Sequence, residues 1–230
     1  MKLIQNFMNV SKPESNKIIE NFDITIIPVL NPDGYAYTWR NKTTRGWRKN
    51  RSVKKGQHCI GVDVNRNFPE AWGGAGSSPS PCSNLYRGTH LLSEKEPQAL
   101  VKYMAKIKND VIVYLCLHSF GQTLSTPWGY TSEKPKDFDD LAKVGRTARD
   151  AIKKVYGTKY SVGNAHNYIY ASSGNIVDYL HAQLGIKYTY FIEMRPKKKE
   201  FVVPESIMLK NAEEMFAGMV AVADELKDET

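Results

Sequence analysis

The alternation of short apolar runs with longer stretches of helical periodicity constrains the fold most. Runs of β-branched and aromatic residues with the length of buried strands are Asp23–Val29, Val111–Leu117 and Lys187–Glu193. Stretches with helical spacing are Ser93–Asn109, Asp139–Tyr156 and Pro204–Lys227. Because strands interleaved with helices build layered domains, the pattern predicts an α/β domain with a largely parallel sheet.

The ends of the predicted helices carry their own signals. Ser93 is followed three residues later by Glu96, the signature of a capping box, and Pro204 is suited to a helix start. The irregular stretch Asn31–Leu92 is too long for a simple connection, and long loops in compact domains are usually functional. We expect one domain, residues 1–230, with an elaborate loop face.

Composition excludes several classes of protein. No apolar run approaches the roughly 20 residues that cross a bilayer, which predicts no membrane association. Met1–Asn6 turns polar too early for a signal peptide. The net charge of +8 is concentrated in Arg40–Lys55 and Arg195–Lys199. Such clusters contact nucleic acid, an anionic surface or an acidic substrate group, or are solvated loop residues. No zinc-finger or RNP-like pattern accompanies them, so we predict no nucleic-acid partner.

The three cysteines fall in two different settings. Cys116 lies inside an apolar run, which favours a buried free thiol, whereas Cys59 and Cys82 flank a loop rich in Gly, Ser and Pro. A bridge between the latter two would indicate an oxidising compartment. Closing that loop would stabilise the fold by roughly 3.5 kcal/mol on the chain-entropy model.

Two charged or polar residues follow predicted strands. His118 comes directly after Val111–Leu117, and Glu193 ends Lys187–Glu193. Ligands bind at the carboxyl ends of strands in α/β sheets, so the two side chains are candidates for one crevice, although a structural histidine is the alternative.

Two polar clusters lie in the long loop stretch, Trp47–Arg51 and Asp63–Phe68. An Arg beside an Asn is suited to clamping a carboxylate, and a loop salt-bridged by Asp63 is the alternative.

An ordered series of motifs resembles the pancreatic-type (A/B) zinc metallocarboxypeptidases. The series is Asn31–Tyr35 (NPDGY), Trp47–Lys49 (WRK), Gly61–Phe68 (GVDVNRNF), His118–Phe120 (HSF), Tyr170 and Ile192–Arg195 (IEMR). It extends from about Asp23 to the last helical stretch. The resemblance implies a carboxypeptidase-like fold in three layers, with a mixed, largely parallel twisted sheet between helices.

The resemblance also implies catalytic roles. His118 matches the third zinc ligand of the family, and Glu193 matches the general base that activates the zinc-bound water. Arg48 matches the arginine that polarises the scissile carbonyl. Zinc lowers the pKa of bound water to about 7, which supplies the nucleophile for peptide hydrolysis.

The same resemblance places the substrate's C-terminal residue. Asn65 and Arg66 match the pair that grips its terminal carboxylate, and Tyr170 matches the mobile tyrosine that closes over it. Val177 falls where the family has the base of the side-chain pocket, and an apolar residue there implies an A-like preference for aliphatic or aromatic C-termini. The alternative for Val177 is an ordinary core residue.

Further implications concern covalent structure and setting. Cys59 and Cys82 match the family's disulfide, which implies a secreted protein. The family resemblance also implies peptide or protein C-termini as substrates, and we expect a monomer. The family has a cis peptide bond after the arginine matched by Arg195. Because Pro196 lowers the cost of the cis conformation here, we predict a cis Arg195–Pro196 bond.

One element of the family pattern is missing. Family zinc sites begin with His-x-x-Glu, and none of the five histidines here has a Glu three residues on. We therefore expect a chain that lacks the N-terminal strand or strands and helix of the catalytic domain, and with them two zinc ligands. The alternative is a zinc-free, non-catalytic relative that binds peptide C-termini.

Overall fold

Helices and strands alternate along most of the chain. The structure, a computed structural model, describes residues 2–9, 11, 13–56, 58–197 and 201–229. The elements in chain order are the helices α1 (Lys2–Phe7), α2 (Pro13–Asn21), α3 (Pro32–Thr38) and α4 (Lys95–Ile107), the strands β1 (Val113–Ser119) and β2 (Thr123–Thr126), then α5 (Phe138–Tyr156), β3 (Ser161–Asn164), α6 (Ala165–Tyr168), α7 (Ile176–Leu184), β4 (Tyr188–Met194) and α8 (Glu205–Leu226). Short 3-10 helices lie at Lys42–Thr44, Val64–Arg66 and Lys227–Glu229.

The strands form one mixed sheet in the order β1-β4-β2-β3. β1 runs parallel to β4 and β2 parallel to β3, while β2 and β4 are antiparallel. The prediction of a mixed, largely parallel sheet is therefore confirmed.

Helices cover both faces of this sheet. Successive residues of β4 point to opposite faces, so its apolar side chains pack against helices on both sides. Tyr190 and Ile192 pack with α5 and α8 in one core cluster. Phe191 packs with α4 and α7 in a second cluster. A strand that is apolar on both faces is typical of the middle layer of a three-layer domain.

One predicted strand is wrong. Asp23–Val29 has no strand structure, and its isoleucines stay exposed, Ile24 to 39% and Ile27 to 44%. Its apolar pattern fits a buried strand, but no strand of the described residues pairs with it. β1 is also only partly buried, because it lies at the edge of the sheet and has a neighbouring strand on one side only among the described residues. Cys116 on β1 is free, as predicted, but only partly buried.

The other predicted elements agree with the structure to within two residues at each end. The strands β2 and β3 and the helices α1, α2, α3, α6 and α7 were not predicted, and α3 lies within the stretch Asn31–Leu92 that the sequence indicates as irregular. The capping box is wrong: Glu94, rather than Ser93, occupies the N-cap of α4, without a side-chain cap. Ser93 Oγ donates to the Glu94 carboxylate instead.

The covalent predictions are confirmed. Cys59 and Cys82 form a disulfide, and the Arg195–Pro196 peptide is cis. Cis peptides also occur at Ser119–Phe120 and Pro127–Trp128. Among the described helices, none is both long and apolar enough to cross a membrane. In the second basic cluster, Lys198 and Lys199 lie outside the described residues.

Candidate active site

The register of two parallel strands brings the first two candidate residues together. His118 on β1 is the partner of Glu193 on β4. Paired residues of neighbouring strands point to the same face, so both side chains lie on one side of the sheet. Both sit at the carboxyl ends of their strands, one residue before the last, and not after the strand as the sequence predicted for His118.

A cleft of about 160 Å³ opens over this pair. Six of the seven candidate residues line it: Arg48, Asn65, Arg66, His118, Tyr170 and Glu193. Residues far apart in sequence thus converge on one concave site, as expected for a binding or catalytic cleft.

Glu193 is a buried carboxylate that lacks a partner for one oxygen. Its residue is 8% exposed, and Oε2 accepts no hydrogen bond from the described residues. Burial raises the pKa of Glu193 to about 7, and the positive charge of Arg48 opposes that rise. A carboxyl group with a pKa near neutrality exchanges protons readily at physiological pH, which is the property of a general base or acid.

His118 is held as a neutral imidazole. Burial, and then the positive charge of Arg48, lower the pKa of His118 to about 4. Its Nε2 lies 3.1 Å from the sulfur of Cys116, two residues earlier on the same face of β1. Burial and the neighbouring Glu193 raise the pKa of Cys116 to about 12, so the sulfur stays a thiol at neutral pH. A neutral imidazole keeps one nitrogen lone pair for a ligand.

Arg48 is fixed by an ion pair at the mouth of the cleft. Its Nε donates to Asp63 Oδ2 at 2.8 Å, and Asp63 is buried. The Arg48 side chain remains 34% exposed. The pair confirms the salt bridge that the sequence offered as an alternative to a functional arginine, but Arg48 also lines the cleft.

Arg66 is almost completely buried, at 1% exposure. Its Nε donates to the carbonyl oxygen of Gly76 at 2.7 Å, and its Nη1 donates to its neighbour's carbonyl at 2.8 Å. Gly76 has a φ of +73°, and a Cβ there would meet the Ala171 carbonyl oxygen, so only glycine fits. Nη2 of Arg66 has no partner among the described residues. A buried guanidinium with an unused donor indicates a site for an anionic group.

Two residues complete the surroundings of Arg66. Asn65 accepts a hydrogen bond from the backbone N–H of Ile176 through Oδ1, at 3.1 Å, which leaves its amide NH₂ as a donor. The Tyr170 ring centroid is 5.8 Å from the Arg66 guanidinium carbon, and Tyr170 is 47% exposed. An exposed ring at the rim has freedom to move over the cleft.

Val177 does not line the cleft. It is fully buried in the core cluster between α4, α7 and β4, one residue after the amide that holds Asn65. The cleft lining also includes residues that the sequence did not single out: Ile169, Ser172 and Phe201. Phe201 packs edge-on against Phe120, with centroids 4.9 Å apart. No motif marks Phe201 in the sequence, because only the fold brings it beside β1.

The described residues do not fit a complete catalytic zinc site. Among them, no group of three or more His, Cys, Asp and Glu side chains is placed to hold a metal ion. Catalytic zinc sites use three protein ligands and a water molecule. His118 supplies one imidazole, and Glu193, whose Oε2 has no partner among the described residues, lines the same cleft.

Comparison with known protein families gives a match over nearly the whole chain. The family model described as zinc carboxypeptidase matches residues 1–218. Carboxypeptidase A2 of Rattus norvegicus is 38% identical over 217 residues, which cover 94% of this chain and 51% of that protein. Carboxypeptidase B of Astacus astacus is 40% identical over 213 residues, which cover 92% of this chain and 70% of that protein.

Solved structures show the same similarity. Bovine thrombin-activatable fibrinolysis inhibitor, in complex with tick carboxypeptidase inhibitor, has a TM-score of 0.92 and 31% identity, covering 100% of this chain and 77% of that one. Carboxypeptidase A from Helicoverpa armigera has a TM-score of 0.81 and 32% identity, covering 88% and 51%. The chain spans about half the length of the first curated relatives that it matches, 51% and 59%.

Proposed function

Because the chain belongs to the zinc carboxypeptidase family, we propose that it forms the substrate-binding part of a C-terminal exopeptidase, within a single catalytic domain. The observation that carries this proposal is that buried Arg66, in a cleft that also holds Glu193, has a donor without a partner among the residues that the structure describes. A peptide chain has one α-carboxylate, so a site that requires it cleaves only at the C-terminus.

Arg66 and Asn65 bind that terminal carboxylate in this proposal. Charge-assisted hydrogen bonds to a buried guanidinium contribute about 1.5–3 kcal/mol each. The buried position of Arg66 strengthens the discrimination, since an uncharged amide would leave the guanidinium without a counter-charge. Tyr170 covers the bound residue and excludes water.

Arg48 and Glu193 act on the scissile bond. Arg48 donates to the carbonyl oxygen as negative charge develops there, and Asp63 keeps the guanidinium in place. Removal of one such donor costs about 2.7–4 kcal/mol of transition-state stabilisation in a serine protease. Glu193 takes a proton from the attacking water and transfers it to the leaving amine.

The family's metal would supply a nucleophilic water at neutral pH. Since the described residues provide only one imidazole toward it, we derive no step through zinc from this chain.

Preference for apolar or aromatic C-terminal residues is the finer part of the proposal. Phe191 and Ile169 add apolar surface to the cleft. Val177 is buried in the core next to Ile176, which holds Asn65, and brings no charge there that would attract Lys or Arg. The Cys59–Cys82 disulfide supports a secreted protein, because disulfides persist in oxidising compartments.

Hydrolysis of matched blocked dipeptides tests this function. If the protein binds the supplied zinc, as judged by its measured zinc content, we expect turnover of a dipeptide ending in Phe, slower turnover of one ending in Lys, and none of the C-terminal amide. Turnover of the amide at the same rate would refute carboxylate recognition.

The second candidate is a zinc-free module that binds peptide C-termini without cleaving them. The lack of a three-ligand group among the described residues favours it. Binding of the free acid without bound zinc or turnover would support this candidate and exclude the enzyme.

A further inference from the structure

One segment of the long loop carries a formal charge equal to the positive excess of the whole protein. The chain has 32 Lys and Arg residues against 24 Asp and Glu. Residues 35–55 contain eight of the basic residues and no acidic one. The rest of the chain is therefore formally neutral, and a partner attracted by charge would be directed to this segment.

Within this segment, aromatic rings and guanidinium groups stack on one another. The basic platform, as we call it, consists of Tyr35, Tyr37, Trp39, Arg40, Arg45, Trp47 and Arg51. The Arg51 guanidinium lies 3.6 Å from the Tyr37 centroid and 4.6 Å from that of Trp47. The Arg40 guanidinium also lies over Tyr37, 5.3 Å from its ring centroid.

A second stack continues the platform. Arg45 lies 4.1 Å from the Trp39 centroid, and Trp39 meets Tyr35 edge-on at 6.2 Å. Trp39 is 63% exposed and Tyr35 is 53% exposed. The connection between the stacks is ordered by Asn41, whose side chain accepts from two backbone N–H groups of Lys42–Thr44. The cations are thus fixed in position before any partner arrives, which lowers the entropic cost of binding.

The platform arginines carry charge that the protein does not neutralise. Arg48 is paired with Asp63, and Lys54 with Glu94. Arg40, Arg45 and Arg51, by contrast, form no ion pair with any carboxylate in the described part of the chain, and Arg45 donates only to the Thr38 hydroxyl. Stacked guanidinium groups keep their in-plane N–H donors free for oxyanions.

We propose that the basic platform binds a linear sulfated polysaccharide. The charges are spread along two stacks and do not converge on one pocket, which fits a polymer with repeated anionic groups. The exposed faces of Trp39 and Tyr35 fit the apolar faces of sugar rings. The disulfide between Cys59 and Cys82 indicates an oxidising compartment, which favours an extracellular polyanion over nucleic acid. This proposal does not depend on peptidase activity.

The test measures affinity for a sulfated dodecasaccharide prepared from heparin, by calorimetry between 50 and 300 mM NaCl. We compare the intact chain with an Arg40→Gln/Arg45→Gln variant. The matched control, Lys153→Gln/Lys154→Gln, removes the same charge from the exposed last turn of α5. Circular dichroism and thermal unfolding establish that each variant is folded.

We expect the platform variant to bind at least tenfold more weakly at 50 mM NaCl, and its salt slope to fall by about two, one for each contact removed. The control should change the affinity by less than twofold. Trp39→Ala should weaken binding while leaving the salt slope unchanged. This variant provides the test if the double variant does not fold. Equal losses in platform and control variants, or no binding by the intact chain at 50 mM NaCl, would overturn the proposal. Equal affinity for single-stranded DNA of the same charge would overturn the choice of polysaccharide.

Discussion

Replacement of Glu193 by Gln should stabilise the protein at neutral and alkaline pH. Gln has nearly the same shape as Glu but carries no charge, so it removes the cost of holding a carboxylate in a buried position where Oε2 has no partner among the described residues. A functional carboxylate that is kept at the expense of stability is expected in an active site.

The pKa of Glu193 gives the magnitude and the sign. Burial raises the pKa of Glu193 from its ordinary value of 4.5 to about 7. The folded state therefore binds this proton more tightly than the unfolded state, and the protein loses stability as the pH rises from 4.5 to 7, with no further loss above 7. A shift of this size corresponds to about 3 kcal/mol at 1.36 kcal/mol for each pKa unit.

Urea unfolding at pH 5 and pH 8 measures this effect with the disulfide intact. The free energy of unfolding of Glu193→Gln should exceed that of the unmodified protein by about 2–3 kcal/mol more at pH 8 than at pH 5. Glu133→Gln, at an exposed position, is the matched control, and we expect it to change stability by less than about 0.5 kcal/mol at both. If Glu193→Gln gives no advantage at pH 8, the carboxylate is not desolvated and the assignment of a general base loses its physical support.

Three further outcomes follow from the same structure. If the protein cleaves peptides, kcat/KM should fall about tenfold for each pH unit below 7 as Glu193 becomes protonated, and a profile that stays flat down to pH 5 would contradict a base with this pKa. Reduction of the Cys59–Cys82 disulfide, whose cysteines are 23 residues apart, should lower the free energy of unfolding by roughly 3.5 kcal/mol, and an unchanged urea midpoint would show that the bridge does not constrain the unfolded chain. Ile26→Ser, at a residue 40% exposed, should reduce the binding of a hydrophobic dye, whereas unchanged dye binding would show that the segment 23–29 does not form an exposed apolar patch.

Sequence reasoning succeeded where local pattern and burial agree. The strand Tyr188–Met194 and the helix Phe138–Tyr156 were predicted because both are covered on their apolar sides, so periodicity records their environment. The short strands Thr123–Thr126 and Ser161–Asn164 were missed, since four residues of mixed polarity carry too little periodicity.

The segment Asp23–Val29 shows the opposite failure. Its composition favours a strand, but strand formation needs a neighbour, and the sheet of the described residues does not include it. The apolar pattern shows only that the segment is suited to a strand, and a strand forms only where a neighbouring strand pairs with it.

The candidate site was predictable in its residues but not in its geometry. Spacing and motif resemblance selected Arg66 and Glu193, yet only the fold shows that each has a buried atom without a partner in the described part of the chain. The role of Val177 at the base of a pocket stays a prediction, because its side chain is enclosed in the core. The stacking that orders the basic platform was also invisible in sequence, where Arg40–Lys55 is only a charged run.

The central claim is that Arg66 and its neighbours form a site for the terminal carboxylate of a peptide. Calorimetry with an N-acylated phenylalanine and with its C-terminal amide tests this without requiring catalysis. We predict that the acid binds at least tenfold more tightly than the amide, the equivalent of about 1.4 kcal/mol or more, since only the acid meets the unpartnered Nη2 with a negative charge. Equal affinity for the two ligands would contradict the account.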